Sequence, residues 1–113
     1  MTKLNGISVI ICCHNSSKRI CDTLRHLAVQ IVHPEFFYEI VLVDNNCSDD
    51  TVEAAVQCWN LFGIPFPLHV VKQSKAGLTF ARQKGIETAK FDYVILCDDD
   101  NWLCKDYLKR TIN

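Results

Sequence analysis

Four short apolar runs alternate with amphipathic stretches along this chain, and few architectures can absorb that order. Ile7 to Cys13 is nearly continuous in apolar residues, as expected of a strand covered on both faces. Glu39 to Val43, Leu68 to Val71 and Phe91 to Cys97 read as the second, third and fourth strands. Between the first two, Ile20, Leu24, Leu27, Ala28 and Ile31 recur at helical spacing, with Asn15 and Ser16 as candidate N-caps. That helix should end near His33-Pro34, because proline disfavours helical geometry in the residue before it. Ser48 or Asp50 can cap the next helix. Asp50 with Glu53 has capping-box spacing, and the inner face would be Val52, Ala55, Val56 and Trp59. Gly63 and Pro65 supply stop signals. Leu78, Ala81, Gly85, Ile86 and Ala89 mark a third helix, and Cys104 to Ile112 can start a fourth, with Leu103, Tyr107 and Leu108 as contacts. Parallel neighbours need crossover connections, and those are right-handed, so this alternation predicts a three-layer α/β/α fold with a mainly parallel sheet.

A chain of 113 residues with 49% hydrophobic content and 22% charge fits a single domain spanning residues 1–113. The net charge is only −1, with both signs mixed, so nothing demands nucleic acid or an anionic membrane surface as partner. Seven cysteines show no Cys-x-x-Cys spacing, and several sit in apolar runs. They read as reduced, small core residues of a cytoplasmic protein. Cys12, Cys13 and His14 are soft-metal ligand types, but strand alternation sends neighbours to opposite faces, which argues against zinc. The N-terminus has no signal-peptide stretch, and no apolar run approaches spanning length.

Polar residues follow the strands at their carboxyl ends: His14 and Asn15 after the first, Asp44, Asn45 and Asn46 at the second, Asp98 to Asn101 at the fourth. Open α/β sheets bind ligands in the crevice beyond those ends. Three consecutive carboxylates, Asp98, Asp99 and Asp100, repel one another unless a cation or hydrogen-bond donors compensate, which points to a metal. In extended chain Asp98 and Asp100 share a face and Asp99 takes the other. Neither a Gly-x-Gly-x-x-Gly after the first strand nor a P-loop is present, so phosphates must be held another way.

Four segments carry a specific resemblance: Ser8 to Asn15, Val43 to Thr51, Lys75 to Arg82 followed by Gly85-Ile86, and Ile95 to Trp102. In order and spacing they resemble the nucleotide-sugar-binding half of family 2 glycosyltransferases, with a Rossmann-like GT-A fold. The resemblance implies an inverting transfer of a sugar from a nucleoside-diphosphate sugar to an acceptor hydroxyl, on a glycan or lipid-linked acceptor, with Mg2+ or Mn2+. It implies that Asp44 accepts a hydrogen bond from the nucleobase, that Asn15 and Asn46 line the nucleotide, and that Asp98 and Asp100 form the DXD element. Asp98 would face the ribose and share the metal with Asp100. Asp99 is counted with the nucleotide-sugar-binding residues, either pointing into the sheet's periphery or replacing Asp100 as ligand if the strand ends a residue earlier. His14 receives no catalytic role.

Lys75 and Arg82 flank a segment whose Gly77 permits close backbone approach at a helix start, a sound place for phosphate oxygens. Arg82 could instead pair with Asp44 or Asp98. Lys18 and Arg19 fall in a helix's first turn, opposing its dipole by roughly 0.3 to 1 kcal/mol each, and read as solvated.

Such catalytic domains are about twice this length, so the chain is expected to be a donor-binding part that is inactive alone, with the general base beyond residue 113. The full-length protein could then lie at the inner face of the membrane. An exposed sheet edge, with apolar surface near Trp102 and Tyr107, would favour a homodimer. Two alternatives remain at this stage: a non-catalytic nucleotide- or metal-binding module, and a response-regulator-like or phosphatase-like domain. The latter classes place acidic groups directly after the first strand, where His14 and Asn15 stand here.

Overall fold

In the computed structural model, which describes residues 5–111, strands and helices alternate throughout. The elements are β1 (Gly6–Cys13), α1 (Ile20–Ala28), β2 (Phe37–Asp44), α2 (Thr51–Leu61), β3 (Leu68–Lys72), α3 (Leu78–Thr88), β4 (Tyr93–Asp98) and α4 (Tyr107–Thr111). All strand pairings are parallel, in the order β3-β2-β1-β4. The chain steps one way from β1 to β3, then returns to place β4 on the far side of β1. Right-handed crossovers therefore put α1 and α2 on one face and α3 on the other. The strand order reverses between β1 and β4, which opens a crevice at their carboxyl ends.

The core divides accordingly. Ile7, Val9 and Ile11 of β1 join Ile40 and Leu42 of β2 under Ile20, Leu24 and Leu27 of α1 and Ala55 and Trp59 of α2. Opposite, Ile10, Val41 and Val43 pack on Ala81 of α3. A Cβ at Gly85 would lie 2.3 Å from Ile10 Cγ2 and 3.3 Å from Val43 Cγ2, so this glycine lets α3 seat directly on the sheet. α3 reaches β1 and β2 but leaves Val94 and Leu96 of edge strand β4 exposed on its side of the sheet. No helix among the described residues is long and apolar enough to cross a membrane.

Several local expectations need correction. α1 stops at Ala28, and Ile31 is exposed beyond it, because Gln30 and Ile31 bond instead to the segment after β4. Arg19 is the N-cap, with no side-chain cap from Asn15 or Ser16. The Asp50/Glu53 capping box does not form: Asp50 makes no side-chain cap, and Asp49 Oδ1 accepts from the Thr51 N–H at 3.1 Å. Val56, expected on the inner face of α2, is exposed, and of the apolar residues expected on the inner face of α3, Leu78 and Ile86 are exposed as well. α4 begins at Tyr107 rather than Cys104, with Leu108 buried; Ile112 lies outside the described residues. The cysteines are not all free: Cys21 of α1 and Cys58 of α2, 37 residues apart in sequence, form a disulfide where the two helices pack together. Cys104 is exposed.

Candidate functional site

The carboxyl end of the sheet carries a cavity of about 470 Å³. Its walls are Cys12, Cys13 and His14 at the end of β1, Asn45 after β2, Asp98, Asp99 and Asp100 after β4, and Ala76, Gly77, Leu78 and Ala81 at the start of α3. This is the crevice at the strand-order reversal.

The three carboxylates are handled differently. β4 ends at Asp98, and an Asn101 N–H bond to Asp98 O at 3.1 Å closes a turn over residues 98–101. Asp98 lies 3.6 Å from Arg82 of α3, with both side chains substantially exposed. Asp99 also lines the cavity, but its carboxylate is engaged by the segment leading into α1, where its Oδ2 accepts from Ser16 Oγ and from Arg19 Nη2 at 3.2 Å. Arg19 is thus paired rather than simply solvated. Asp100 is exposed and makes no hydrogen bond or ion pair among the described residues. All three acids line the cavity, but a turn rather than extended chain carries them, and only the Asp99 carboxylate is tied down by hydrogen-bond donors.

Asp44 does not share this cavity. It is nearly buried, its Oδ1 accepts the Cys47 N–H at 2.9 Å, and it lines a smaller pocket of about 190 Å³ with Asn46, Cys47, Lys72, Gln73 and Ser74. The register explains the separation. Asp44 pairs with Cys13 and Asp98 with Cys12, neighbours on β1, so the two acids leave opposite faces of the sheet. Asp44 therefore does not meet Asp98 and Asp100 around one pocket, as a single cation-bridged diphosphate site would require; two pockets lie along one rim instead.

The remaining sequence candidates divide between walls and latches. Gly77 lines the main cavity at φ 127°, a conformation only glycine adopts readily, and its space is open apart from Phe80 at 3.7 Å. The first intrahelical bond of α3 is Ala81 N–H to Gly77 O, which leaves the preceding N–H groups as candidate anion donors. Asn15, at φ 52°, spends its Oδ1 on the Ser48 and Asp49 N–H groups, tying the loop after β1 to the loop after β2. Asn46 donates to Ser74 O at 2.9 Å. Lys75 is exposed, its Nζ 5.3 Å from the Phe80 ring centroid.

Sequence reasoning left Asn45 without a role, yet it builds the wall between the pockets. Its Nδ2 donates to Gln73 O and Lys75 O, both at 2.8 Å, and its Oδ1 accepts the Gly77 N–H at 3.1 Å. His14 Nδ1 lies 2.9 Å from Asn45 O. Burial pushes the Cys12 thiol up to about 11 and the Cys13 thiol higher still, so both present neutral thiols to the cavity.

Residues 8–113 match the profile of Glycosyl transferase family 2. The chain belongs to that family. The uncharacterized glycosyltransferase YwdF of Bacillus subtilis is 29% identical over 92% of this chain and 36% of its own length. The cholesterol galactosyltransferase of Borreliella burgdorferi is 30% identical over 84% of this chain and 25% of its own. The crystal structure of S. aureus TarS 1-349 with UDP superposes with a TM-score of 0.82 at 26% identity, covering 98% of this chain and 31% of that one. TarS has also been solved with UDP-GlcNAc. A mannosyltransferase from Pyrobaculum calidifontis, solved with GDP-Man and Mn2+, shares the fold at 24% identity and a TM-score of 0.73. This chain thus spans about a third or less of these relatives.

Among the described residues no three His, Cys, Asp or Glu side chains converge into a self-sufficient metal cage. The family's implied cation is nonetheless compatible with the residues present. Asp98 and Asp100 both line the cavity, and hard divalent cations such as Mg2+ are commonly held by one or two carboxylates plus substrate phosphates.

Proposed function

We propose that this chain carries the donor-binding portion of an inverting glycosyltransferase, holding a nucleoside-diphosphate sugar across the rim with Mg2+ or Mn2+. The observation that carries the reading is the cavity at the strand-order reversal, where Asp98 and Asp100 stand opposite the N-terminus of α3. The diphosphate would lie in this cavity and the nucleobase toward Asp44 and Asn46 in the smaller pocket, with Asn45 between them. Relatives bound to UDP and UDP-GlcNAc support a uridine nucleotide as the first to test.

Asp98 and Asp100 would hold the cation, which neutralises charge growing on the departing diphosphate. Arg82, now beside Asp98, can turn to a phosphate oxygen without leaving a buried charge behind, because both partners are solvent-exposed. Gly77 lets the phosphates approach the backbone, and the first N–H groups of α3 orient them. Lys75, exposed and next in sequence to Ala76 of the cavity wall, adds positive charge nearby. The acceptor, a glycan or lipid-linked hydroxyl, and its general base are assigned to the part of the relatives that this chain does not span. The chain alone should therefore bind the donor without transferring the sugar.

Calorimetry of the chain with UDP, GDP and UDP-GlcNAc, with Mn2+ and in EDTA, tests this. Metal-dependent binding with no transfer is the expected result. No binding of any nucleotide in either condition would refute it, and metal-independent binding would favour a nucleotide-binding module without chemistry.

A further inference from the structure

We propose that Asp99 is a positioning residue: through it, α1 fastens the carboxylate turn so that Asp98 and Asp100 stay aimed into the cavity. The proposal deepens the nucleotide-sugar reading and rests on it. Ser16 and Thr23 are fully buried, and buried hydroxyls must find partners. Both are committed to Asp99. Ser16 Oγ donates to its Oδ2, and Thr23 Oγ1 donates to its backbone carbonyl at 2.7 Å. Arg19 adds a second donor to the same Oδ2. The Asp99 side chain is 18% exposed against 56% for Asp98, so one acid of the triplet is drawn inward while its neighbour faces solvent.

The fastening is itself anchored. The Ser16 N–H donates to Thr51 Oγ1 at 2.8 Å, and Thr51, fully buried at the start of α2, bonds in turn to Asp49. Downstream, the chain stays against α1. Trp102 stacks on His26 with ring centroids 5.4 Å apart, and Gln30 Nε2 donates to Cys104 O at 2.6 Å. The carboxylate turn is therefore held at Asp99 and again at residues 102–104.

The physical need is clear from the charges. Asp98 and Asp100 are like-charged, and a free turn would let them splay apart. Ordering them before the cation arrives removes that ordering cost from binding. Asp99 thus acts through the turn, with Ser16, Arg19 and Thr23 as its partners, and Asp100 remains the ligand.

The test uses Thr23→Val, Ser16→Ala and Arg19→Ala, with Thr23→Ser as the conservative rescue and Asp99→Asn set beside Asp100→Asn. Amide exchange at Asn101, whose N–H closes the turn, needs no ligand; calorimetry with UDP in Mn2+ or in EDTA reads the site. Thr23→Val should speed Asn101 exchange and weaken Mn2+-dependent UDP binding by roughly tenfold each, leaving metal-free UDP binding unchanged, and Thr23→Ser should restore both. Asp99→Asn should weaken metal-dependent binding less than Asp100→Asn. Unchanged exchange in both Thr23→Val and Ser16→Ala, or Asp99→Asn as damaging as Asp100→Asn, would overturn the proposal. If Thr23→Val fails to fold, Arg19→Ala at an exposed side chain reads the same quantities. A wild-type chain that takes up no UDP with Mn2+ would refute the nucleotide reading and the positioning role with it. Intact wild-type binding with unchanged exchange in the variants refutes the positioning role alone.

Discussion

Replacing Arg82 by Ala separates a structural ion pair from a phosphate-binding group. Arg82 Nη2 and Asp98 Oδ1 are 3.6 Å apart. At that distance the Coulomb energy is about 1 kcal/mol in water and about 4 to 5 kcal/mol at an effective dielectric constant near 20. The exposures decide between these limits: 40% for Arg82 and 56% for Asp98 put the pair in a strongly screened setting. Exposed pairs of this kind contribute about 0.2 to 1 kcal/mol. Arg82→Ala should therefore cost no more than about 1 kcal/mol in urea unfolding, a change of at most about 4–8 °C in Tm. A charge-assisted bond to a diphosphate contributes about 1.5 to 3 kcal/mol, so Mn2+-dependent UDP binding should weaken roughly 10- to 150-fold. Arg82→Lys should recover part of it, since charge is kept while the planar fork is lost. Calorimetry at fixed ionic strength, run beside the urea series, reads both quantities. Unchanged affinity with more than about 2 kcal/mol of lost stability would refute the reasoning and make Arg82 a structural residue.

Further tests address the scaffold. Ser8→Ala removes a buried hydroxyl that donates to Glu39 Oε2 at 2.6 Å and accepts from the Phe91 N–H at 3.2 Å; it should cost about 1.5 to 3 kcal/mol, and a urea midpoint matching wild type would contradict this. Under non-reducing alkylation Cys104 should react first, while Cys97 resists because burial pushes its thiol up to about 12. Cys21 and Cys58 should react only after reduction, and peptide mass spectrometry showing them labelled without reductant would exclude the disulfide. The Thr51 hydroxyl holds the Asp49 carboxyl down at about 2 from 3.8. A depressed carboxylate contributes stability above its unfolded value and loses it as pH falls through the folded one, so wild type should weaken between about pH 4 and 2. Thr51→Val should flatten that acid limb, and identical pH profiles would argue against the bond.

What the sequence determined was the periodic part. Apolar runs of strand length and amphipathic runs of helix length placed the strands and the first three helices, and the handedness of parallel crossovers then fixed a three-layer α/β fold. The polar residues that interrupt those runs at the strand ends, the triplet Asp98–Asp100 among them, together with Gly77 at the start of α3, marked the rim on which the cavity lies. Only the tertiary structure decided how that rim is divided. Asp44 and Asp98 look equivalent in sequence, but a one-residue difference in register against β1 sends them to opposite faces. Ser16, Thr23 and Asn45 carry no periodic signal, because a buried polar side chain is defined by partners tens of residues away. The same holds for Cys21 and Cys58, which nothing in their spacing joins until α1 and α2 pack together. Periodicity reports which face of an element is buried; which polar group meets which is set by how the elements are registered and stacked.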